Sequence, residues 1–136
     1  MRKAMLALAA AAAIVFSVVP ATAASATSGP VLACRVEPNS VGTFEPGFCG
    51  TNRAASSYTI AFEVQGGSGT YTYTWSYPSG YTVYGCTSAS DSCSVEGVSA
   101  AHDVNIGVTV VIQQGSSSAT LSASAAIAQV CGDSFC

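Results

Sequence analysis

Between residues 58 and 65 the chain alternates. Tyr58, Ile60, Phe62 and Val64 fall on one side, and Thr59, Ala61, Glu63 and Gln65 on the other. Successive side chains of an extended backbone point to opposite faces, so this period of two predicts a half-buried strand. The rhythm recurs. Thr70-Tyr71-Thr72-Tyr73-Thr74-Trp75-Ser76-Tyr77 places rings on one face and hydroxyls on the other. Val104, Ile106, Val108, Val110 and Ile112 set the inner face of a long late strand. Leu121, Ala123, Ala125 and Ile127 then alternate with Ser122, Ser124, Ala126 and Ala128. The alanines there also fit a helix, but the Ser/Ala alternation and the strand before it favour β. Shorter strands are expected over 31–36, 81–86 and 93–98. Turns fall at Gly66-Gly67-Ser68-Gly69, at Pro78-Ser79-Gly80, over the polar 87–92 and over 115–118. Residues 39–56, punctuated by Gly42, Pro46, Gly47 and Gly50, read as a loop, and 132–136 as a short tail. About seven short strands at this spacing predict an all-β, antiparallel sandwich.

The first residues read differently. Arg2 and Lys3 precede an apolar run over 4–19, Pro20 breaks it, and Ala21-Thr22-Ala23 has the small-x-small form of a signal-peptide cleavage site. Residues 1–23 are therefore expected to be a signal peptide, with Ala26 as an alternative cleavage point. Residues 24–30 are expected to be a short disordered stretch, and 31–136 a single domain. A membrane anchor is the competing reading, but the run falls short of the ~20 apolar residues a span needs and lacks a positive flank. The mature chain is expected to have no membrane span. A lipoprotein is a further alternative, since Val31-Leu32-Ala33-Cys34 has some lipobox character. It would leave an odd number of thiols in an oxidising compartment.

Cysteine usage agrees with export. Cys34, Cys49, Cys86, Cys93, Cys131 and Cys136 all follow the leader, and an even count in a small exported domain reads as a disulfide framework. Six thiols allow ~15 pairings. Locality favours Cys86–Cys93 across a polar turn, Cys131–Cys136 around the tail and Cys34–Cys49 around the Pro/Gly loop. A link from Cys34 to Cys131, closing nearly the whole domain, is the rival. No close C-x-x-C pair suggests zinc or redox chemistry, and no cofactor is expected.

Charge narrows the partners. The formal net charge of −3 becomes −5 once Arg2 and Lys3 leave with the leader, and no lysine remains. Such a domain has no footprint for nucleic acid or anionic lipid. Its surface is expected to be mostly Ser, Thr, Gly and Tyr.

One stretch carries a resemblance. Gly66-Gly67-Ser68-Gly69-Thr70-Tyr71-Thr72-Tyr73-Thr74-Trp75-Ser76 resembles the "GG-x-G-x-Y-x-Y-x-W" motif of PKD-like and related immunoglobulin-like domains of bacterial secreted and surface proteins. The resemblance implies an immunoglobulin-like sandwich with Trp75 as the core tryptophan and Tyr73 beside it. It implies adhesion, spacing or recognition rather than a reaction. The Gly-Asp-Gly turn that often follows the tryptophan in PKD domains is replaced here by Tyr77-Pro78-Ser79-Gly80.

Candidate chemistry is sparse. Tyr71, Tyr73, Trp75, Tyr77, Tyr81 and Tyr84 form an aromatic cluster. It is either core or, if the face is uncovered, a platform on which sugar rings stack; a central strand with this alternation favours core. Thr70, Thr72, Thr74 and Ser76 make a hydroxyl ladder opposite it. His102 and Asp103 are neighbours and would point to opposite faces of an extended chain, so they do not form a catalytic pair. No G-x-S-x-G elbow is present. Asp91, Glu96 and Asp103 lack the dense spacing of a calcium loop. The expectation is a secreted, monomeric, non-catalytic module for binding, adhesion or structure, whose partner is an extracellular glycan or protein. The alternative is a secreted hydrolase inhibitor presenting the Cys86–Cys93 loop, whose rigidity would lower the entropic cost of binding.

Overall fold

A computed structural model of the protein describes residues 29–136. The expected signal peptide and most of the expected disordered stretch lie outside the described residues. The strands are β1 (Val31–Glu37), β2 (Glu45–Pro46), β3 (Phe48–Gly50), β4 (Ser57–Gln65), β5 (Thr72–Ser76), β6 (Thr82–Tyr84), β7 (Ser92–Ser99), β8 (Val104–Gln114), β9 (Ser117–Ile127), β10 (Val130–Cys131) and β11 (Ser134–Phe135). They form a five-stranded sheet in the order β2-β1-β4-β7-β6, a four-stranded sheet in the order β3-β9-β8-β5, and a small β10-β11 ribbon. No described helix is long and apolar enough to cross a membrane.

The two larger sheets share one hydrophobic core. Alternation decides who enters it. Tyr58, Ile60, Phe62 and Val64 of β4 face inward, as do Ile106, Val108, Val110 and Ile112 of β8 and Ala123, Ala125 and Ile127 of β9. Small alanines on β9 let the facing strand approach, and β1 is the element that lies against it. The Tyr58 hydroxyl, carried into the core, donates to the Arg53 carbonyl at 2.6 Å and accepts from Ala55 N at 2.9 Å. A buried phenol needs such partners, because an unpaired one would cost about 1–3 kcal/mol.

Strict alternation fails on β1, where Leu32, Ala33 and Cys34 are buried in succession, and again on β7. On β7, Val95 and Val98 are both buried although three positions apart. Ile60 pairs with Val95 and Tyr58 with Val98, so Glu96 and Gly97 together oppose Thr59. This bulge returns Val98 to the core, and Gly97 accepts its φ of 67° without steric cost.

The expected loop over 39–56 holds two strands. β2 pairs antiparallel with β1, and β3 pairs parallel with β9. Gly47 stands between them with φ 76°. Its N–H donates to Leu32 O of the five-stranded sheet at 2.9 Å, and its carbonyl accepts from Ser124 N of the four-stranded sheet at 3.0 Å. The chain thus changes sheets at a residue free to kink. Two residues later Cys49 is buried and bonded to Cys34 of β1, a staple between the sheets. That bond also consumes the thiol on which the lipoprotein alternative depended. The other disulfides join Cys86 to Cys93 and Cys131 to Cys136, and no described cysteine is free.

Candidate functional site

The aromatic residues of β5 sit differently from the sequence expectation. β5 is an edge strand paired only with β8, not a central one. At an edge the opposing sheet covers only part of a side chain. Tyr71, Tyr73 and Trp75 are therefore half-buried, packed against the core without entering it. Trp75 is not the centre of the core: that place belongs to Tyr58, Ile60 and Phe62 of β4, each at most 2 % exposed. The three β5-side rings form a ladder. Tyr71 and Tyr73 meet edge-on at 6.4 Å, and Tyr73 and Trp75 stack at 6.3 Å with 19° between their planes. Both spacings lie within the range of favourable aromatic pairs.

The loop over 87–92 holds this ladder. Ser88 O accepts from Tyr73 N at 3.0 Å, and Ser90 O accepts from the Trp75 indole N–H at 3.1 Å. On the other sheet, Asp91 O accepts from Val64 N at 2.8 Å. The loop is a clasp between β4 and β5, anchored by Cys86–Cys93. It covers part of the β5 edge, which would otherwise present open backbone groups. Fastened on both sides, it is no freestanding protrusion. Burial pushes the Tyr73 phenol above its ordinary value, with smaller contributions from the Asp91 carboxylate and Tyr71.

The remaining candidates do not join the ladder as one surface. Tyr81 is half-buried against the core, whereas Tyr77 and Tyr84 are exposed. Tyr84 pairs with Ser94 in register, opposite in direction to inward-facing Val83, and so sits on the outer face of the five-stranded sheet. Thr70, Thr72, Thr74 and Ser76 are exposed on the outer side of the β5 segment. His102 is exposed, and Asp103 accepts from Gln129 N at 2.7 Å, which ties the segment before β10 to the start of β8. Asp91, Glu96 and Asp103 lie in separate elements, and no group of three or more His, Cys, Asp or Glu among the described residues is placed to hold a metal ion.

Phe48 escaped the sequence reading. It falls in the segment read as loop, yet on β3 it points away from buried Cys49 and is 55 % exposed. Its only signal in the sequence is a large apolar residue inside a Pro/Gly-rich stretch.

Comparison with family models, with curated proteins and with solved structures finds no match.

Proposed function

We propose that the protein is a secreted, monomeric, non-catalytic recognition module built as an immunoglobulin-like β-sandwich of the PKD-like kind. The carrying observation is the Tyr71–Tyr73–Trp75 ladder, half-exposed on an edge strand and held by the disulfide clasp. Rings held in place lose little entropy when a ligand covers them. Their apolar faces and polar rims suit sugars or an extended peptide. Three intramolecular disulfides, typical of extracellular proteins, support the location. The Gly66–Trp75 motif and the shared core of two sheets support the fold. The inhibitor reading draws less support, because the loop it needs spends its carbonyls on β4 and β5.

A glycan array probed with the oxidised, exported protein is the test. Binding that quenches or shifts Trp75 fluorescence is the expected result. No glycan signal together with inhibition of a protease or glycosidase would replace recognition with inhibition.

A further inference from the structure

The two sheets turn unlike faces to solvent. Arg35, Glu37, Glu45, Glu63 and Glu96 all lie on strands of the five-stranded sheet. On β3, β5, β8 and β9 no residue is charged. The outer side of this second sheet is ordered by register into rows. Ser76, Thr109 and Ser122 make one row, Gly107, Ser124 and Phe48 the next, and Asn105, Ala126 and Gly50 the third.

The middle row is unusual. Gly107 lies in the interior of β8 without a left-handed φ, and a side chain built there would meet nothing within 4 Å. Neither backbone conformation nor packing requires glycine, and glycine weakens a strand. What it leaves is an opening. A cleft of about 390 Å³ lies there, bordered by Gly47, Gly107, Thr109, Ser122 and Ser124. A second, of about 440 Å³, borders Gly50, Asn105 and Ala126, with Asp103 at the start of β8 as its one charged lining residue. Phe48 stands in the row that separates them, its ring in solvent. At the border of the first cleft the paired Thr109 and Ser122 hydroxyls share a hydrogen bond of 3.4 Å, each with bonding capacity left over.

We propose that this face is a binding site for a neutral polysaccharide. A sugar ring has an apolar C–H face and a rim of hydroxyls. Phe48 offers the first a stacking surface, and Thr109, Ser122 and Ser124 offer the second their donors and acceptors. An anionic polymer would find no cation on the strands of this face and would meet the Asp103 carboxylate at the second cleft, while a neutral one meets no charge on the strands that must be stripped of water. A protein partner fits less well, because interface cores are enriched in aromatics and arginine and depleted in serine and alanine, the residues that dominate here. The site is separate from the β5 ladder: Phe48 is three strand spacings away, about 14 Å, and on the outer rather than the inner side.

The test is retention of the exported, oxidised protein on insoluble cellulose, chitin and starch, with heparin resin as the anionic comparison. Retention on at least one neutral polymer and none on heparin is expected. Phe48→Ala and Gly107→Val should each weaken retention at least tenfold, while Glu96→Gln on the opposite sheet should change it less than twofold. Gly107→Val has room for its side chain and favours the strand, so its melting temperature should stay level or rise, separating lost binding from lost fold. No retention on any of the three polymers overturns the proposal. So does retention that survives Phe48→Ala and Gly107→Val but falls with Tyr71→Ala; that result would leave the ladder of β5 as the binding site and the recognition reading intact.

Discussion

The five-stranded and four-stranded sheets bury their inner faces in the same way and differ in everything else. The first carries all the charges found within strands of the two sheets, and its β4 sits at the core's centre. The second is charge-free and ends in a half-covered aromatic edge at β5 on one side and in exposed Phe48 at the other. Burial of apolar side chains holds both to one core. The contrast teaches that hydrophobic alternation decides which side of a strand turns inward, while the composition of the outer side is left open to other demands. On the five-stranded sheet that side carries charge. On the four-stranded sheet it carries mostly hydroxyls, and a neutral strand surface results.

Substitutions can sharpen or break this contrast. The largest effect is expected from Phe62→Ala, at the centre of the five-stranded sheet, which should cost about 4 kcal/mol through lost burial and the cavity left behind. Trp75→Ala, on the edge of the other sheet, should cost about half as much despite the larger side chain, because its ring is already partly in water. Urea unfolding of both variants checks this; equal losses would mean that the edge ladder belongs to the core after all.

Next comes the staple between the sheets. Replacing Cys34 and Cys49 together by alanine removes a closure of sequence separation 15 and should cost about 3 kcal/mol. The same change at Cys131 and Cys136, separation 5 and outside both sheets, should cost about 2 kcal/mol. Thermal unfolding under oxidising conditions would separate them. A larger loss at the tail would contradict the assignment of the buried bond as the chief crosslink.

Glycines give a smaller and opposite pair. Gly97→Ala, in the bulge of the five-stranded sheet, forces a side chain into a left-handed φ of 67° and should cost about 1–2 kcal/mol. Gly107→Ala, in the four-stranded sheet, should be neutral or add about 0.5 kcal/mol. Chemical denaturation of the two variants decides the sign. If both destabilise, Gly107 answers to packing rather than to an open cleft.

The smallest effect concerns pH. The Tyr73 phenol titrates above its ordinary value in the folded chain, so the folded state holds the proton more tightly than the unfolded one. Its contribution to stability is complete below the unfolded value and is lost as pH rises through the folded one. Tyr73→Phe should therefore flatten the alkaline limb of a plot of melting temperature against pH above about 10. An unchanged alkaline limb would place the titrating group elsewhere.

How much of this was readable depends on distance along the chain. Period two located β4, β8 and β9 and their inward residues, because alternation is a local property that burial on one face imposes. The pairing of Cys86 with Cys93 and of Cys131 with Cys136 was readable for a related reason: each pair flanks its own turn. β3 was not readable, since Phe48-Cys49-Gly50 is too short to show a period, and its parallel partner β9 lies more than seventy residues away. The bulge at Gly97 was hidden as well. A single added residue leaves no mark in composition, and only the partner strand reveals the change of register.

Alone, the sequence determined that the described residues are all-β, which side chains of each long strand face inward, that residues 29–136 are acidic and lack lysine, and that the cysteines can close local loops. These follow from residue type and near-neighbour spacing. Only the tertiary structure decided that Trp75 lies on an edge strand, that the Cys86–Cys93 loop is a clasp, and that every charge within the two sheets falls on one of them. It alone brought Phe48, Gly107 and Ser124 into one row. Strand order and register are set by contacts between distant segments, and no local pattern carries that information.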